Sequence, residues 1–422
     1  MKRYPKYKDS GLVWLGEIPE HWEVKRAKYF FTEIDERSEK GEEELLSVSH
    51  ITGVTPRSEK NINMFMAESY EGYKTCIPHD LVINIMWAWM GALGISKHKG
   101  IVSSAYGVYR LKPNNKFDYN YLDYLVRIPE YIAEYISRSK GIRSSRLRMY
   151  SDDFFQIPII YPPVEEQKNI VDFLNRKLEQ IDQFINNKKR LIELLKEQKT
   201  AIINRAVTKG LNPHVPMKPS GIEWLGDIPS HWEMVRNINI FKEVVETGYE
   251  NLELLSIFYD RGVVKQNESG RKNRSSVDKS SYKRILKGDI GYNLMNAFIG
   301  SIGVSSYDGI ISPAYAVCRP TVVLDSHYFH YLFRTPLYLV EFDRHSYGIM
   351  DERNRLYFNN FKKIYVPFPP VNEQTEIVKY INQNSATIDQ AIAKAEKEIE
   401  LIQEYRTTLI SDAVTGKIDV RE

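Results

Sequence analysis

Arginines recur at matching positions in two segments of the chain, and arginine side chains can hold a phosphate or a guanine base. The first segment, GIRSSRLRMYS, carries Arg143, Arg146 and Arg148, and the second, GIMDERNRLYF, carries Arg353 and Arg355 at the last two of these positions. A guanidinium group binds guanine through two parallel hydrogen bonds or clamps a phosphate oxygen. Because small polar residues surround the first set, we expect a loop that contacts nucleic acid. A solvated basic loop, or local salt bridges, is the alternative.

A second basic region is rich in serine, asparagine and lysine and spans residues 265–284. Its counterpart in the first half of the chain, residues 55–74, has a different sequence. Phosphate contacts supply affinity and base contacts supply specificity, so a base-reading region should differ between two halves. A polar surface loop is the alternative. The predicted contact residues here are Arg57, Lys60, Arg271, Lys272 and Arg274.

Two diproline motifs fall short of a catalytic loop. Amino-methyltransferases grip the target amine with an Asp/Asn-Pro-Pro-aromatic loop, but this chain has YPPV at 161–164 and FPPV at 368–371. Neither motif supplies the carboxylate or amide before the prolines, or the aromatic residue after them. The sequence also lacks GxxxxGK[ST], HExxH and clustered Cys and His residues. We therefore predict a chain without catalytic residues, a bound metal or a cofactor of its own.

Tryptophan and histidine residues could stack on bases or act in catalysis. For Trp87 and Trp89 in MWAWMGALG we expect packing in a buried strand, with base stacking as the alternative. Other tryptophans and histidines recur with the repeat described next, which favours a structural, hydrogen-bonded role that anchors each domain on a helix. These residues are Trp14, His21, Trp22, Trp224, His231 and Trp232.

These residues lie on a unit that occurs twice in the chain. SGLVWLGEIPEHWEV at 10–24 returns as SGIEWLGDIPSHWEM at 220–234, and AVTKG at 206–210 returns as AVTGK at 413–417. The segments between them also match in order. Repetition at this scale indicates a duplicated architectural unit. Within each copy, short apolar runs broken by Gly, Asn, Asp and Ser predict strands with tight connections, and YLDYLVRIPEYIAEYI predicts short helices.

Each copy ends in a long polar segment with apolar residues at alternating steps of about three and four, which is the pattern of a helical heptad seam. The diprolines and following glutamates favour a helix start at PPVEEQ and PPVNEQ. A lone helix of this kind cannot bury its stripe, so we expect the two helices to pair. The predicted seam residues are Leu174, Leu178, Ile181, Ile185, Ile192, Leu195, Ile388, Ile392, Ile399 and Ile402.

The predicted architecture is mixed α+β, with two tandem globular domains, each followed by a long helix. We place the first domain at 1–162, its helix at 163–210, the second domain at 211–369 and its helix at 370–422. The short joint between the halves cannot return along a whole helix, since about a dozen residues reach at most roughly 40 Å. We therefore expect an antiparallel coiled coil with pseudo-two-fold symmetry. Such a spacer would suit two readers of a split DNA site.

Composition limits the other classes of protein. The chain has 422 residues, 42% hydrophobic and 12% aromatic, so we expect a globular rather than a disordered chain. Its net charge of +3 neither suggests nor excludes nucleic acid. The only cysteines are Cys76 and Cys318, which fits a reducing cytosol. Neither a signal peptide nor a membrane span is expected, so the predicted location is cytoplasmic.

Over essentially its full length the chain resembles the specificity (S) subunit of type I restriction–modification systems. The resemblance is carried by the two WLG-[ED]-IP-x-HWE openings, the PPVEEQ and PPVNEQ helix starts and the AVTKG and AVTGK helix ends, all in this order. It implies two target recognition domains, each reading half of a bipartite, asymmetric site in double-stranded DNA. It also implies that the helices dock two methyltransferase (M) subunits, and that two restriction/translocase (R) subunits complete the complex.

The resemblance further implies that chemistry belongs to the partners. The M subunits would bind S-adenosylmethionine and methylate adenine at N6, and the R subunits would use ATP and Mg²⁺. Three other functions remain open from the sequence: a specificity subunit of another restriction or phage-defence complex, a stand-alone DNA-binding regulator, and a coiled-coil scaffold in which the basic loops play no part.

Overall fold

A computed structural model describes residues 2–60, 69–113, 116–142, 147–259, 261–268, 278–348 and 354–421. The chain divides into two compact units. The first comprises Met1–Lys188 with Lys397–Glu422, and the second comprises Lys189–Glu396. Each unit therefore joins one globular half to a segment of both long helices. The domain boundaries drawn above in simple chain order stay a prediction.

The described residues of the first globular half form short strands and three short helices, followed by a long helix. The strands are β1 (Tyr7–Asp9), β2 (Glu17–Pro19), β3 (Glu23–Arg26), β4 (Phe31–Glu33), β5 (Leu46–Ser49), β6 (Gly53–Pro56), β7 (Lys74–Cys76), β8 (Leu81–Ile83), β9 (Leu93–Ile95), β10 (Gly100–Val102), β11 (Gly107–Leu111) and β12 (Pro158–Tyr161). The helices are α1 (Tyr119–Val126), α2 (Pro129–Arg138), α3 (Ser151–Phe155) and the long α4 (Val164–Lys209).

The second globular half repeats this order of elements. Its strands are β13 (Met217–Pro219), β14 (Asp227–Pro229), β15 (Glu233–Arg236), β16 (Phe241–Glu243), β17 (Leu255–Phe258), β18 (Gly262–Lys265), β19 (Lys283–Ile285), β20 (Ile290–Asn293), β21 (Ile302–Val304), β22 (Gly309–Ile311), β23 (Tyr315–Pro320) and β24 (Tyr365–Phe368). Its helices are α5 (Ser326–Leu332), α6 (Pro336–Arg344), α7 (Phe358–Phe361) and the long α8 (Val371–Val414).

Both halves have the same antiparallel sheet topology. A four-stranded sheet has the order β4-β11-β8-β9 in the first half and β16-β23-β20-β21 in the second. Val82 pairs with Val108 in the first sheet, and Gly291 pairs with Val317 at the matching position of the second. Two-stranded ribbons surround each sheet, including β5–β6 in one half and β17–β18 in the other. The duplication inferred from the sequence is thus also a duplication of strand pairing.

Side chains cap the free backbone N–H groups in the first turn of α1, α5 and α6. Asp118 accepts hydrogen bonds from the N–H groups of Asn120 and Tyr121 at 2.9 and 3.0 Å, and Asp325 starts α5 in the same way. Proline follows as the first residue of both α2 and α6, a position that needs no N–H donor. Local sequence therefore sets where these helices start.

Aromatic side chains fill the core of each unit. Trp22 and Tyr121 are fully buried in the first unit, together with residues from both long helices such as Leu174 and Leu409. Trp232 and Tyr328 occupy the same places in the second unit. Large aromatic residues carry much of the burial energy of a core, and buried tyrosine or tryptophan N–H and O–H groups need partners. The partners provided here define how each domain meets its helices.

The long helices run antiparallel in each unit. In the first unit Asp182 pairs with Arg406 at 2.6 Å, and Lys188 pairs with Glu398 at 2.6 Å. Residue numbers therefore decrease along α8 in the direction in which they increase along α4. In the second unit Lys199 pairs with Asp389 at 2.7 Å. The mixed α+β class, the tandem domains and the antiparallel pairing predicted from the sequence are confirmed.

The predicted seam residues are not equally buried. Lys188 interrupts the seam, and its ion pair with Glu398 satisfies the ammonium group there. Ala395, another interruption noted in the sequence, is buried. The predicted seam residues that are buried are Leu174, Leu178, Ile181, Ile185, Ile192 and Ile388, and those that are half-buried are Leu195, Ile392, Ile399 and Ile402.

Candidate nucleic-acid interface

A buried carboxylate in the first turn of α4 joins the first domain to its helix. Glu166 Oε2 accepts hydrogen bonds from Trp22 Nε1 at 2.9 Å and from the Tyr4 hydroxyl at 3.2 Å. His21 Nε2 lies 2.6 Å from Glu166 Oε1. Burial, followed by the charge of Glu166, raises the pKa of Tyr4 well above its ordinary value, so the hydroxyl remains a donor. The repeated tryptophan and histidine are therefore structural, as the sequence indicated.

The second copy of the motif makes the same contact with the start of α8. Trp232 Nε1 donates to Glu373 Oε2 at 3.0 Å, and His231 Nε2 lies 2.8 Å from the same oxygen. The next residue, Gln374, donates to the Pro369 carbonyl and accepts from the Asp325 N–H group. The diprolines thus lie at the helix starts. The Glu-Gln pair that follows them binds the domain to its helix through hydrogen bonds.

The same tryptophans also meet a helix end within their unit. A Cβ atom added at Gly416, just beyond α8, would lie 2.9 Å from Trp22 Cζ3, and φ at Gly416 is +78°. A Cβ atom at Gly210, just beyond α4, would lie 3.2 Å from Trp232 Cζ2. Trp22 and Trp232 therefore each pack between the start of one long helix and the end of the other, which explains the glycines of AVTKG and AVTGK. The other two recurring tryptophans, Trp14 and Trp224, pack edge-on against Tyr131 and Tyr338.

Matching backbone hydrogen bonds close the predicted arginine segments in both domains, and we call residues 140–148 and 347–355 the arginine loops. The backbones of Lys140 and Arg148 exchange two hydrogen bonds at 2.9 Å, and those of Tyr347 and Arg355 exchange two at 3.1 and 3.2 Å. Three of the predicted arginines lie outside the described residues: Arg143, Arg146 and Arg353.

The two described arginines of these loops differ in exposure. Arg148 is half-buried, and its guanidinium donates to the Leu147 carbonyl at 3.1 Å. Arg355 is exposed and reaches the Tyr357 hydroxyl at 3.4 Å. The Arg355 side chain is thus available to a ligand, whereas Arg148 would have to turn away from its own loop.

Basic residues of the second predicted region are held more tightly than expected for a surface loop. Lys60 donates to the hydroxyls of Ser47 and Ser49 at 3.1 and 3.4 Å, and burial lowers the pKa of Lys60. Arg57 is half-buried in a 3₁₀ turn after β6. Lys283, at the other end of the region in the second domain, donates to a backbone carbonyl. Arg271, Lys272 and Arg274 lie outside the described residues.

Trp87 was expected in a buried strand, and that prediction is wrong. The strand β8 ends at Ile83, and residues 84–92 form a tight turn, which we call the central turn; its counterpart is residues 293–301. Trp87 is 51% exposed there, whereas Trp89 is half-buried and donates its indole N–H to the Met86 carbonyl at 3.0 Å. The strand ends because the Asn84 side chain accepts a hydrogen bond from the Met86 N–H group.

Two further arginines, not singled out from the sequence, hold a third turn in place. We call it the ribbon turn: residues 49–53 between β5 and β6, and the described residues 258–259 and 261–262 between β17 and β18. Arg127 donates to the Ile51 carbonyl at 2.8 Å, and Arg334 donates to the Tyr259 carbonyl at 2.6 Å. The signal was present in the repeat, because both arginines precede an x-Pro pair at the junction of two helices. They act as positioning residues of the turns.

The described part of the chain also bears on metal ligands, cysteines and membrane-spanning helices. Among those residues, three or more His, Cys, Asp or Glu side chains do not come together as a metal site would require. Cys76 and Cys318 are buried, and burial raises the pKa of the Cys76 thiol to about 11. The described helices include none that is long and apolar enough to cross a membrane.

Comparison with known proteins agrees with the duplicated fold. A chain from a structural study of complex assembly and conformational transition of the type I R-M system matches with a TM-score of 0.66 at 15% identity, covering 95% of this chain and 99% of that one. The HsdS subunit from Thermoanaerobacter tengcongensis matches with a TM-score of 0.54 at 16% identity, covering 95% and 98%. At these identities the likeness establishes the fold.

Sequence comparison extends the likeness to a family. The MjaVIII specificity subunit of Methanocaldococcus jannaschii is 26% identical over 96% of this chain and 94% of its own length. The EcoKI specificity subunit of Escherichia coli K12 is 21% identical over 81% of this chain and 75% of its own. The family profile described as the type I restriction modification DNA specificity domain matches residues 13–197 and 229–401. The chain therefore belongs to the family of type I restriction–modification DNA specificity subunits.

Proposed function

We propose that this chain reads a bipartite, asymmetric site in double-stranded DNA, with each domain recognising one half. The observation that carries the proposal is that the two domains share one backbone frame but carry different exposed residues on it. The frame includes the same strand pairing and the same arginine loop, closed by matching hydrogen bonds. Two similar readers with different surface residues suit two different half-sites.

Contact with DNA is assigned to the basic loops of both domains. Arg355 is exposed on its hairpin, and the matching loop of the first domain carries three arginines within a run of six residues. Arginine is suited to such loops because its fork of donors matches guanine or phosphate. The proposed contact residues are Arg143, Arg146, Arg148, Arg353, Arg355, Arg57, Lys60, Arg271, Lys272 and Arg274.

The long helices are proposed to dock two methyltransferase subunits. Besides the seam, each helix leaves large apolar side chains in solvent, which favours burial against another protein. The residues concerned are Phe184, Leu401 and Tyr405 in the first unit and Leu191, Leu194 and Tyr380 in the second. The partners supply the chemistry in this proposal: methyltransferase subunits with S-adenosylmethionine modify adenine, and two restriction/translocase subunits use ATP and Mg²⁺.

The test is to express the chain with its neighbouring methyltransferase gene in a methylation-free host and to sequence the native DNA for N6-methyladenine. We expect a split, asymmetric motif that disappears when this gene is deleted. Exchanging residues 1–160 or 215–365 with those of a relative should change only one half of the motif. Unmodified DNA despite a stable complex with the methyltransferase would contradict the proposal.

A further inference from the structure

We propose that the side chain at the tip of each central turn, Trp87 in the first domain and Asn296 in the second, contacts DNA and helps to select the bases that its domain accepts. The inference rests on the proposed DNA-reading function and adds one specificity-determining residue to each half. It starts from the exposure of Trp87, which sequence periodicity had placed in a buried strand.

The two central turns have the same backbone. Trp87 has φ −127° and ψ 14°, and Asn296 has φ −128° and ψ 15°. Each turn closes on a left-handed glycine, Gly91 with φ 80° and Gly300 with φ 94°. Each residue accepts two backbone hydrogen bonds from the far side of its turn, at 2.9 and 3.1 Å for Trp87 and at 3.3 and 3.1 Å for Asn296. The frame is therefore held constant while the residue at its tip changes.

Apolar exposure at this turn occurs in both domains, although apolar side chains are costly in solvent. Trp87 is half exposed in the first domain. In the second domain Met295 and Ile299 flank Asn296, and all three are exposed. The next residue of each turn points inward: Ala88 and Ala297, at the matching position, are both fully buried. Each turn thus has a fixed inner residue and presents large or hydrogen-bonding side chains outward.

The central turn is directly connected to the arginine loop. The Met149 N–H group, immediately after the loop, donates to the Ile85 carbonyl at 3.0 Å. The Leu356 N–H group donates to the Leu294 carbonyl at 2.8 Å in the second domain. In both domains the acceptor lies two residues before the tip of the turn. A DNA duplex that touches the arginine loop therefore has the central turn within reach.

The ribbon turn adjoins the central turn as well. Arg334 donates to the carbonyls of Tyr259 and Gly300, which belong to the two turns, at 2.6 and 3.4 Å. In the first domain a Cβ atom added at Gly53 would lie 3.7 Å from the Leu93 carbonyl oxygen, next to the end of the central turn. The turns are thus fixed to one another, and a rigid arrangement of loops is what base discrimination requires.

The residue types at the tip suit different base contacts. In the major groove, an asparagine side chain can make two hydrogen bonds to adenine at once. Its amide N–H donates to adenine N7, and its carbonyl oxygen accepts from the adenine N6 amino group. A tryptophan ring offers a flat apolar surface for a thymine methyl group or for an unstacked base. We therefore expect Asn296 to favour adenine in its half-site and Trp87 to act through apolar contact in the other.

The experiment exchanges the two tips, since their backbone angles agree. Trp87→Asn and Asn296→Trp are each expressed as the full chain with the methyltransferase subunits, and the methylated motif is determined. We expect Trp87→Asn to relax or change base pairs in the first half-site only, and Asn296→Trp to do so in the second only. Discrimination at the affected base pair should fall by about 5- to 150-fold. Val13→Asn, the same kind of change at an exposed residue of the β1–β2 ribbon, should leave both halves intact.

A second readout does not depend on methylation. Iodide quenching of tryptophan fluorescence is compared between wild type and Trp87→Phe, with and without a duplex carrying the motif; DNA should protect a component that the variant lacks. If both exchanges behave like Val13→Asn and DNA protects nothing specific to Trp87, the inference is wrong while the split motif of the wild type upholds the proposed function. If the wild type complex produces no motif, the proposed function fails and the inference fails with it.

Discussion

Glu166→Ala should destabilise the first unit much more than Glu165→Ala, although the two residues are neighbours in the first turn of one helix. The carboxylate of Glu166 is 11% exposed and that of Glu165 is 81% exposed. Among the described residues, Glu165 pairs with Lys168 at 2.9 Å on the surface, where an ion pair contributes little. Both residues lie at the same helix N-terminus, so the favourable helix-dipole term is removed in both variants and cancels in the comparison.

The magnitude follows from the donors that Glu166→Ala would leave without a partner. Trp22 is fully buried and Tyr4 is 4% exposed, and both donate to the same carboxylate oxygen. A hydrogen bond to a charged group contributes about 1.5–3 kcal/mol, and a buried donor left unpaired costs a similar amount. The contact of Tyr4 is longer and that of His21 is partly solvated, so we expect a loss of about 3–5 kcal/mol.

The second unit offers a matched comparison. Glu373 is 24% exposed and accepts a hydrogen bond from Trp232, and its other described partner is His231, whose side chain is 44% exposed. Unlike Glu166, it has no described partner that corresponds to Tyr4. Glu373→Ala should therefore cost about 1.5–3 kcal/mol, less than the change in the first unit. Urea unfolding followed by circular dichroism and scanning calorimetry of the full chain would measure the three variants. Equal destabilisation by Glu165→Ala and Glu166→Ala would refute this account of the anchor.

Three further outcomes test other parts of the frame. Gly288→Ala should destabilise the second unit by about 1–2 kcal/mol through φ of +91° alone, because a Cβ atom there meets nothing within 4 Å; urea unfolding measures it. Burial lowers the pKa of His330 to about 3, whereas the same histidine in the unfolded chain binds a proton near pH 6.5. Because protonation then favours the unfolded chain, the free energy of unfolding should fall by up to about 1.4 kcal/mol per pH unit as the pH drops below 6.5. His330→Asn, which keeps an acceptor for the Val304 N–H group, should remove that slope in pH-dependent unfolding. Asp289→Ala leaves the Arg319 guanidinium with Glu246, at 2.7 Å, as its remaining carboxylate and should cost about 1.5–3 kcal/mol, measured as a lower midpoint in the same urea experiment.

The long helices and the repeat could be predicted because their signals are local and redundant. Apolar residues at helical spacing run through more than forty residues of each helix, and each start carries proline and glutamate. The partner of Trp22 could not be named, since the carboxylate that binds it lies 144 residues away. Both residues do lie in repeated motifs, Trp22 in the HWE opening and Glu166 in the PPVEEQ helix start. The assumption that these two motifs contact each other would have identified the pair.

The surface turns were harder to predict for a physical reason. LVINIMWAWMGALGI is apolar enough to continue as one strand, but the Asn84 side chain binds the backbone two residues on and Gly91 adopts a left-handed conformation. The Asn84 hydrogen bond and the left-handed conformation of Gly91 thus outweigh the hydrophobic pattern and place Trp87 on the surface. Asparagine and glycine in the same places of the second copy were the available signal.

The repeated line SGLVWLGEIPEHWEV and its copy can now be explained by what each must hold. Trp22 packs against the start of α4 and the end of α8 in the first unit, and Trp232 packs against the start of α8 and the end of α4 in the second. Each tryptophan needs a glutamate at one helix start and a glycine at one helix end, and these requirements do not depend on the bases recognised. The turns carry no such requirement on their outer residues, since Trp87 and Asn296 occupy one backbone conformation. The two copies can therefore agree in the anchor and differ at the tip, which is the division that the proposed reading of two different half-sites would require.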